Sequence, residues 1–190
     1  RYFALRTTSL NVSLVFNDNN NQKGDRPTSV GCVLYANGTS KETKNVTINN
    51  TTNSYTCAFN NISKYDDNGK VITYTSGLAS EYRKYQIDTS QANKFVFNQM
   101  DSTFSVIIPK TVIVGGQNKT GQYEVQVKGF ISKNETLSVT PSTQFVMKSA
   151  NKNDITATVT QEKTSFKYNE INDANYTKIK GTIKADKLSA

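Results

Sequence analysis

The 190-residue chain has no His, no Trp, two Cys and three Pro. Each scarcity removes a class of chemistry. Without His there is no Ser–His–Asp or Cys–His nucleophilic centre and no His-ligated metal. Two Cys cannot build a four-thiolate zinc site or an iron–sulfur cluster. No run approaches the roughly 18 apolar residues that a membrane-spanning helix needs. The chain does not open on the charged, hydrophobic and small-residue succession of a signal peptide, an opening that a mature or excised fragment would also lack.

What is abundant is uncharged polarity, with about a third of the residues Asn, Ser or Thr. The formal charge is +8, from 23 Lys and Arg against 15 Asp and Glu. Residues 1–99 and residues 100–190 each carry +4, with no basic block. Nucleic-acid binding gathers its cations on a stripe or an arm, so this even spread reads as solvation of two similar modules and no nucleic-acid partner is expected.

Period-two alternation dominates. Leu10, Val12, Leu14 and Phe16 fall on one face, with Asn11 and Ser13 on the other. The pattern returns at Tyr123, Val125 and Val127, and at Ile155, Ala157 and Val159. Alternate side chains of a strand point to opposite faces, so these segments predict strands with one wet side. Asn37-Gly38 and Asn68-Gly69 are hairpin dipeptides. Gly115-Gly116 and residues 149–154 read as polar loops, and residues 78–86 as strand or loop rather than helix. Many short strands between turn signals predict an all-β chain of two tandem β-sandwiches. The expected division is residues 1–7 as the end of a preceding module or a linker, residues 8–99 as the first sandwich and residues 100–190 as the second. The second has about seven strands and stops in an incomplete element after residue 179, lacking its closing strand. The chain therefore reads as a slice of a longer modular protein.

Three separated motifs sharpen the first half: NDNNNQKGDRP (17–27), VLYANG (33–38) and ISKYDDNGKVITYT (62–75). In this order and spacing, residues 8–99 resemble the Cna protein B-type domain, a repeat of Gram-positive surface proteins and pilins. The resemblance implies a prealbumin-like β-sandwich used outside the cell. Many members of that family join a first-strand Lys to a last-strand Asn through an isopeptide bond, with a buried acid shuttling the proton. Carried onto this sequence, the Lys position is Leu14, the acid position Gly77 or Leu78, and the Asn position Asn98. With no amine at Leu14 and no carboxyl at Leu78, no such crosslink is expected. The second half resembles more loosely, through SVIIPKTVIV (105–114), YEVQVKG (123–129), LSVTP (137–141) and DITATVTQEKTSFKY (154–168), the β-sandwich modules that sit beside such domains. An immunoglobulin-like sandwich is expected there.

The cysteines offer a substitute crosslink. Cys32 shares a strand face with Val30 and Leu34, and Cys57 shares one with Tyr55 and Phe59. Both faces read as inward. In an extracellular compartment two inward thiols that meet would oxidise. Closing a loop of this length would stabilise by roughly 3–4 kcal/mol. The alternative is two reduced core cysteines that do not meet.

Other polar groups invite chemistry less well. NDNNNQKGD fails the calcium-loop pattern, because the sixth residue counted from Asp18 is Lys23 and the twelfth is Ser29. A weak cation site on Asp18 and Asp25 is the remaining functional reading of that loop. Asp66 and Asp67 read as loop-tip carboxylates of a turn. Tyr82 and Tyr85, flanking Arg83-Lys84, either pack beneath a loop or offer an aromatic surface to a glycan or host protein. Asn-X-Ser/Thr sequons are numerous, as an Asn-, Ser- and Thr-rich composition produces.

The sequence thus predicts a non-enzymatic chain without cofactor or metal. Its expected role is a structural stalk or fibre segment of an extracellular Gram-positive surface adhesin or pilus-like protein, at the cell surface or in the cell wall. Its partners would be neighbouring domains of the same chain. The alternative is a module that itself binds host matrix protein or glycan; a further one is an accessory module of a large secreted enzyme.

Overall fold

The structure is a computed structural model that describes residues 6–107, 120–138, 144–148, 154–161, 163–170 and 177–185. The expected loop at Gly115-Gly116, residues 149–153 of the second expected loop and the ends of the chain (1–5 and 186–190) lie outside the described residues. The chain divides into two compact units, Arg1–Asp101 and Ser102–Ala190, and both are built of strands.

The first unit holds β1 (Thr7–Asn17), β2 (Ser29–Ala36), β3 (Thr39–Thr47), β4 (Ser54–Ser63), β5 (Tyr74–Leu78), β6 (Tyr85–Asp88) and β7 (Lys94–Gln99). One sheet has the order β4-β1-β7-β6 and the other the order β3-β2-β5. Within the first sheet β1 pairs antiparallel with β4 and parallel with β7, so the first and last strands of the unit run side by side in one direction.

The alternation read at residues 10–16 becomes burial. Val12, Leu14 and Phe16 are buried, and Leu10 packs against the same core. Phe95 and Phe97 of β7 stand beside them in register, Leu14 opposite Phe95 and Phe16 opposite Phe97. Tyr55, Cys57 and Phe59 from β4 extend this inner face, and Val30, Cys32 and Leu34 from β2 close it from the second sheet. Apolar burial of a two-sheet core in this manner supplies most of the driving force for folding. The Phe16 and Phe97 rings stack with centroids 4.6 Å apart, and Tyr55, Tyr82 and Tyr85 meet this pair edge-on.

Turn chemistry explains the connections. Asn37 and Gly38 both have positive φ, 50° and 84°, which matches the two-residue hairpin turn joining β2 to β3. At the other predicted turn, the Asp66 side chain accepts hydrogen bonds from the amides of Asn68 and Lys70, while the Gly69 amide donates to the Asp66 carbonyl. The Asp66 carboxylate shapes a loop tip, the role the sequence suggested for it. Residues 78–86 contain no helix: the chain leaves β5, turns, and enters β6.

The second unit holds β8 (Thr103–Ile107), β9 (Thr120–Phe130), β10 (Thr136–Ser138), β11 (Gln144–Lys148), β12 (Asp154–Gln161), β13 (Ser165–Lys167) and β14 (Thr177–Ala185). Their sheets have the orders β11-β12-β14-β9-β8 and β10-β13. The alternating segments at 123–128 and 155–160 lie in β9 and β12. The long β9–β14 pairing, from Thr177 opposite Val127 to Lys184 opposite Thr120, forms the middle of the larger sheet. Ile131 and Phe166 are buried. The Ser132 amide donates to Ser102 Oγ, which in turn donates to Glu135.

Candidate functional site

The first unit buries an ion pair, Asp18 with Arg26. Asp18 follows the last residue of β1, and Arg26 precedes β2 by three residues, so both belong to the polar loop that leaves the first sheet. Their side chains are 0% and 1% exposed. The guanidinium is bidentate: Arg26 Nε donates to Asp18 Oδ2 at 2.8 Å and Nη2 to Oδ1 at 2.7 Å. Arg26 also donates to the Thr52 carbonyl at 2.8 Å and to the Asn53 side chain, and its charge lies 4.8 Å over the Phe16 ring. Asp18 receives two further bonds, from Tyr85 Oη at 2.9 Å and from the Asn21 amide at 3.1 Å.

Each of the three Arg26 guanidinium nitrogens and both Asp18 carboxylate oxygens has a hydrogen-bond partner, which is what a buried charge requires. Burial pushes the Asp18 carboxyl upward, yet the hydrogen bonds from Arg26, Tyr85 and Asn21 together hold it below its ordinary value. The bond to Asp18 raises Arg26 against the opposing effect of burial. Burial, reinforced by the bond to Asp18, drives the Tyr85 phenol far upward. The cluster is therefore a fixed ion pair that ties the 18–26 loop to residues 52–53 and to β6.

The loop itself is unusual. Asn19, Asn20 and Asn21 all have positive φ, 52°, 56° and 60°. Asn tolerates the left-handed region because its short amide bonds locally. Here Asn21 Oδ1 accepts from the Arg26 amide, Asn20 Oδ1 from Asn53 Nδ2, and Asn19 Nδ2 donates to Gln22.

This geometry decides between the readings of the sequence. Asp18 and Asp25 do not form a cation site. Asp18 is taken by Arg26 and Tyr85, and Asp25 by Lys84 Nζ at 3.4 Å and Gln99 Nε2 at 3.1 Å. Among the described residues, no three His, Cys, Asp or Glu side chains gather as metal ligands would. Tyr82 and Tyr85 both turn inward, Tyr85 buried and Tyr82 half-buried. Tyr85 is buried against Asp18, and Tyr82 packs on Phe97 while its hydroxyl accepts from the Gly31 amide at 3.1 Å. Arg26 is the functional side chain that sequence reasoning missed. Its signal was faint, an Arg eight positions after an Asp in a loop of mostly uncharged residues.

Of Leu14, Leu78 and Asn98, the first two turn to the same core and Asn98 does not. Leu14 is buried in the core, opposite Phe95. Asn98 follows the inward Phe97 and so points out of the sheet, where Asn17 Nδ2 donates to its Oδ1 at 2.8 Å. Leu78 lies opposite Cys32 on the second sheet and packs against the core. The inward neighbours of β1 and β7 are Leu14 with Phe95 and Phe16 with Phe97, which provide neither amine nor amide.

Cys32 and Cys57 do come together. They stand on opposite sheets, on β2 and β4, with exposures of 0% and 1%. Both are thiols here, and they share a hydrogen bond. Burial, with the bond to Cys57, pushes the Cys32 thiol up to about 12; burial also raises Cys57, whose Sγ donates to the Lys44 carbonyl at 3.8 Å.

A comparison with curated protein sequences found no match. Among solved structures, the chain is similar to two B repeat units (B1B2) of the collagen binding protein (Cna) of Staphylococcus aureus. The TM-score is 0.43 and the identity 21%, over 79% of this chain and 48% of that one. It is similar at the same score and identity to a single B repeat unit (B1) of the collagen binding surface protein of the same organism, over 79% of this chain and 96% of that one. The chain spans about half the length of the two-unit structure. Residues 10–99, most of the first unit, match the family model of the Cna protein B-type domain.

Proposed function

We propose that this chain is a stalk or fibre segment of an extracellular Gram-positive surface protein, an adhesin or a pilus-like assembly. The observation that carries the reading is the Cna B-type match over residues 10–99, a domain type that serves such proteins as a non-enzymatic repeat and spacer within longer chains. The interior supports it: the ion pair and Tyr85 bond to one another and Tyr82 packs on Phe97 and bonds the Gly31 amide, as suits a part whose work is to keep its shape. Among the described residues, no helix is long and apolar enough to cross a membrane. In this reading residues 8–99 and 100–190 are successive domains, the second an immunoglobulin-like sandwich. Both project the rest of the chain from the cell surface or wall, and the contacts of each are with its neighbours in the same chain.

A panel of immobilised host matrix proteins and glycans tests the proposal. A spacer gives no saturable binding to the purified chain. Saturable binding at low micromolar concentration would replace the proposal with that of an adhesive module.

A further inference from the structure

We infer that Cys32 and Cys57 form a disulfide that staples the two sheets of the first unit together and limits how far the unit extends under load. The part concerning load rests on the stalk reading; the bond itself does not. Three placements carry it.

The cysteines lie on different sheets. Cys32 is in the central strand β2 of one, and Cys57 in β4 of the other, opposite Val12 of β1. Each side chain enters the shared core and reaches the other. A bond between them fixes the spacing of the sheets at mid-strand, where no other covalent link joins them.

The second placement is the route that force takes. β1 and β7 are the first and last strands of the unit, and they pair in parallel over Ser13–Asn17 and Lys94–Asn98. Tension applied at the two ends of the unit therefore pulls these strands past each other along their length. The paired hydrogen bonds are loaded in shear together, rather than peeled one at a time. Once they yield, the chain between β1 and β7 is drawn out.

The third placement is the position of the cysteines within that chain. Residues 33–56 lie between them and include all of β3. With free thiols this segment extends with the rest. With the disulfide, force crosses from Cys32 to Cys57 and the segment stays slack. At about 3.5 Å per extended residue, the bond withholds about 8 nm of length.

The chemistry balances with a small-molecule disulfide as oxidant. A thiolate from one cysteine attacks oxidised glutathione, forms a mixed disulfide and releases one glutathione. The second cysteine then displaces the other glutathione. The two protein S–H bonds become one S–S bond, and the two electrons and two protons reside on two glutathione thiols. Burial keeps both thiols protonated in the folded unit, so the bond forms while the chain is folding.

The test refolds the full 190-residue chain in a reduced and oxidised glutathione buffer. The expected product has no titratable thiol in denaturant and a mass 2 Da below that of the reduced chain. The chain is then stretched between its ends by single-molecule force spectroscopy, with and without dithiothreitol. Both cysteines lie in the first unit, so one unfolding step should lengthen by about 8 nm on reduction and the other should not change. Cys57→Ser should show the longer step under both conditions; if that variant does not fold, the reduced parent supplies the same comparison. Two free thiols after refolding would overturn the bond. Steps of equal length in oxidised and reduced chains would overturn its role under load. Neither result depends on whether the chain binds a matrix protein, so a failure here is distinct from a failure of the stalk proposal.

Discussion

Asp18 and Arg26 are each held by several partners, and for that reason neither tolerates the loss of the other. Removal of one member of a buried pair leaves an uncompensated charge, which costs about 3–5 kcal/mol. Asp18→Ala is expected to lower stability by about that amount in urea denaturation. Asp18→Ala combined with Arg26→Met should cost clearly less than the two single changes together, because no charge is then stranded. The pH dependence has a definite sign. The folded carboxyl titrates below its ordinary value near 3.8, so its stabilisation is fully present above that value and is lost as the pH falls through the lower, folded one. A melting series should show this acid loss in the parent protein and a flatter acid limb in Asp18→Asn. The thiols act at the other extreme. In the reduced protein Cys32 resists ionisation until about pH 12, whereas the unfolded chain ionises near 9. Its stabilisation is whole below pH 9 and declines between there and 12. Alkylation in the native state at pH 8 should accordingly be slow, and fast once denaturant is added. Arg26 was obscure in the sequence because the pair forms only when the 18–26 loop folds back on itself, which local pattern does not encode. Asn98 shows a related limit. Family spacing placed it on the last strand, but a strand reverses the facing of its side chains at every residue, so correct strand assignment does not fix which side of the sheet a residue occupies.

Among the elements, legibility followed burial. β1 was plain because one of its faces is apolar and the other polar. β2 was plain from Val30, Cys32 and Leu34 and from the Asn37-Gly38 turn behind it. β3 gave no such signal: from Thr39 to Thr47 its side chains are exposed apart from a half-buried Val46, so alternation has almost nothing to mark. Its strand character comes from hairpin pairing with β2 along one edge, which the pattern of its own side chains does not mark. Two glycines of this sheet separate backbone strain from steric strain. Gly38 has φ 84° and open space around its missing Cβ, so Gly38→Ala should cost about 1 kcal/mol through conformation alone. A Cβ on Gly31 would sit 2.9 Å from Ala79 Cβ and 3.0 Å from Asn45 Oδ1. Gly31→Ala should therefore force β2 away from its neighbours and cost more than the Gly38 change in the same chemical denaturation assay.

For the molecule as a whole, the proposed disulfide has a thermodynamic consequence apart from its effect on extension. It removes loop freedom from the unfolded chain, by roughly 3–4 kcal/mol. For a unit of this size that corresponds to a rise in Tm of about 10 °C or more. Calorimetry on the 190-residue chain should place that rise in one transition only, since both cysteines belong to the first unit. The parallel pairing of β1 with β7 governs assembly as well. β1 is made first, yet its place in the sheet is between β4 and β7, and the residues that flank it at Lys94–Asn98 emerge from synthesis about eighty positions later. Contacts so distant in sequence form slowly. The unit cannot complete its sheet until residues 94–99 have been made, so in a nascent or translocating chain it stays open until its own last strand arrives. A late-closing fold of this kind is suited to passage through a narrow export pore before it becomes rigid.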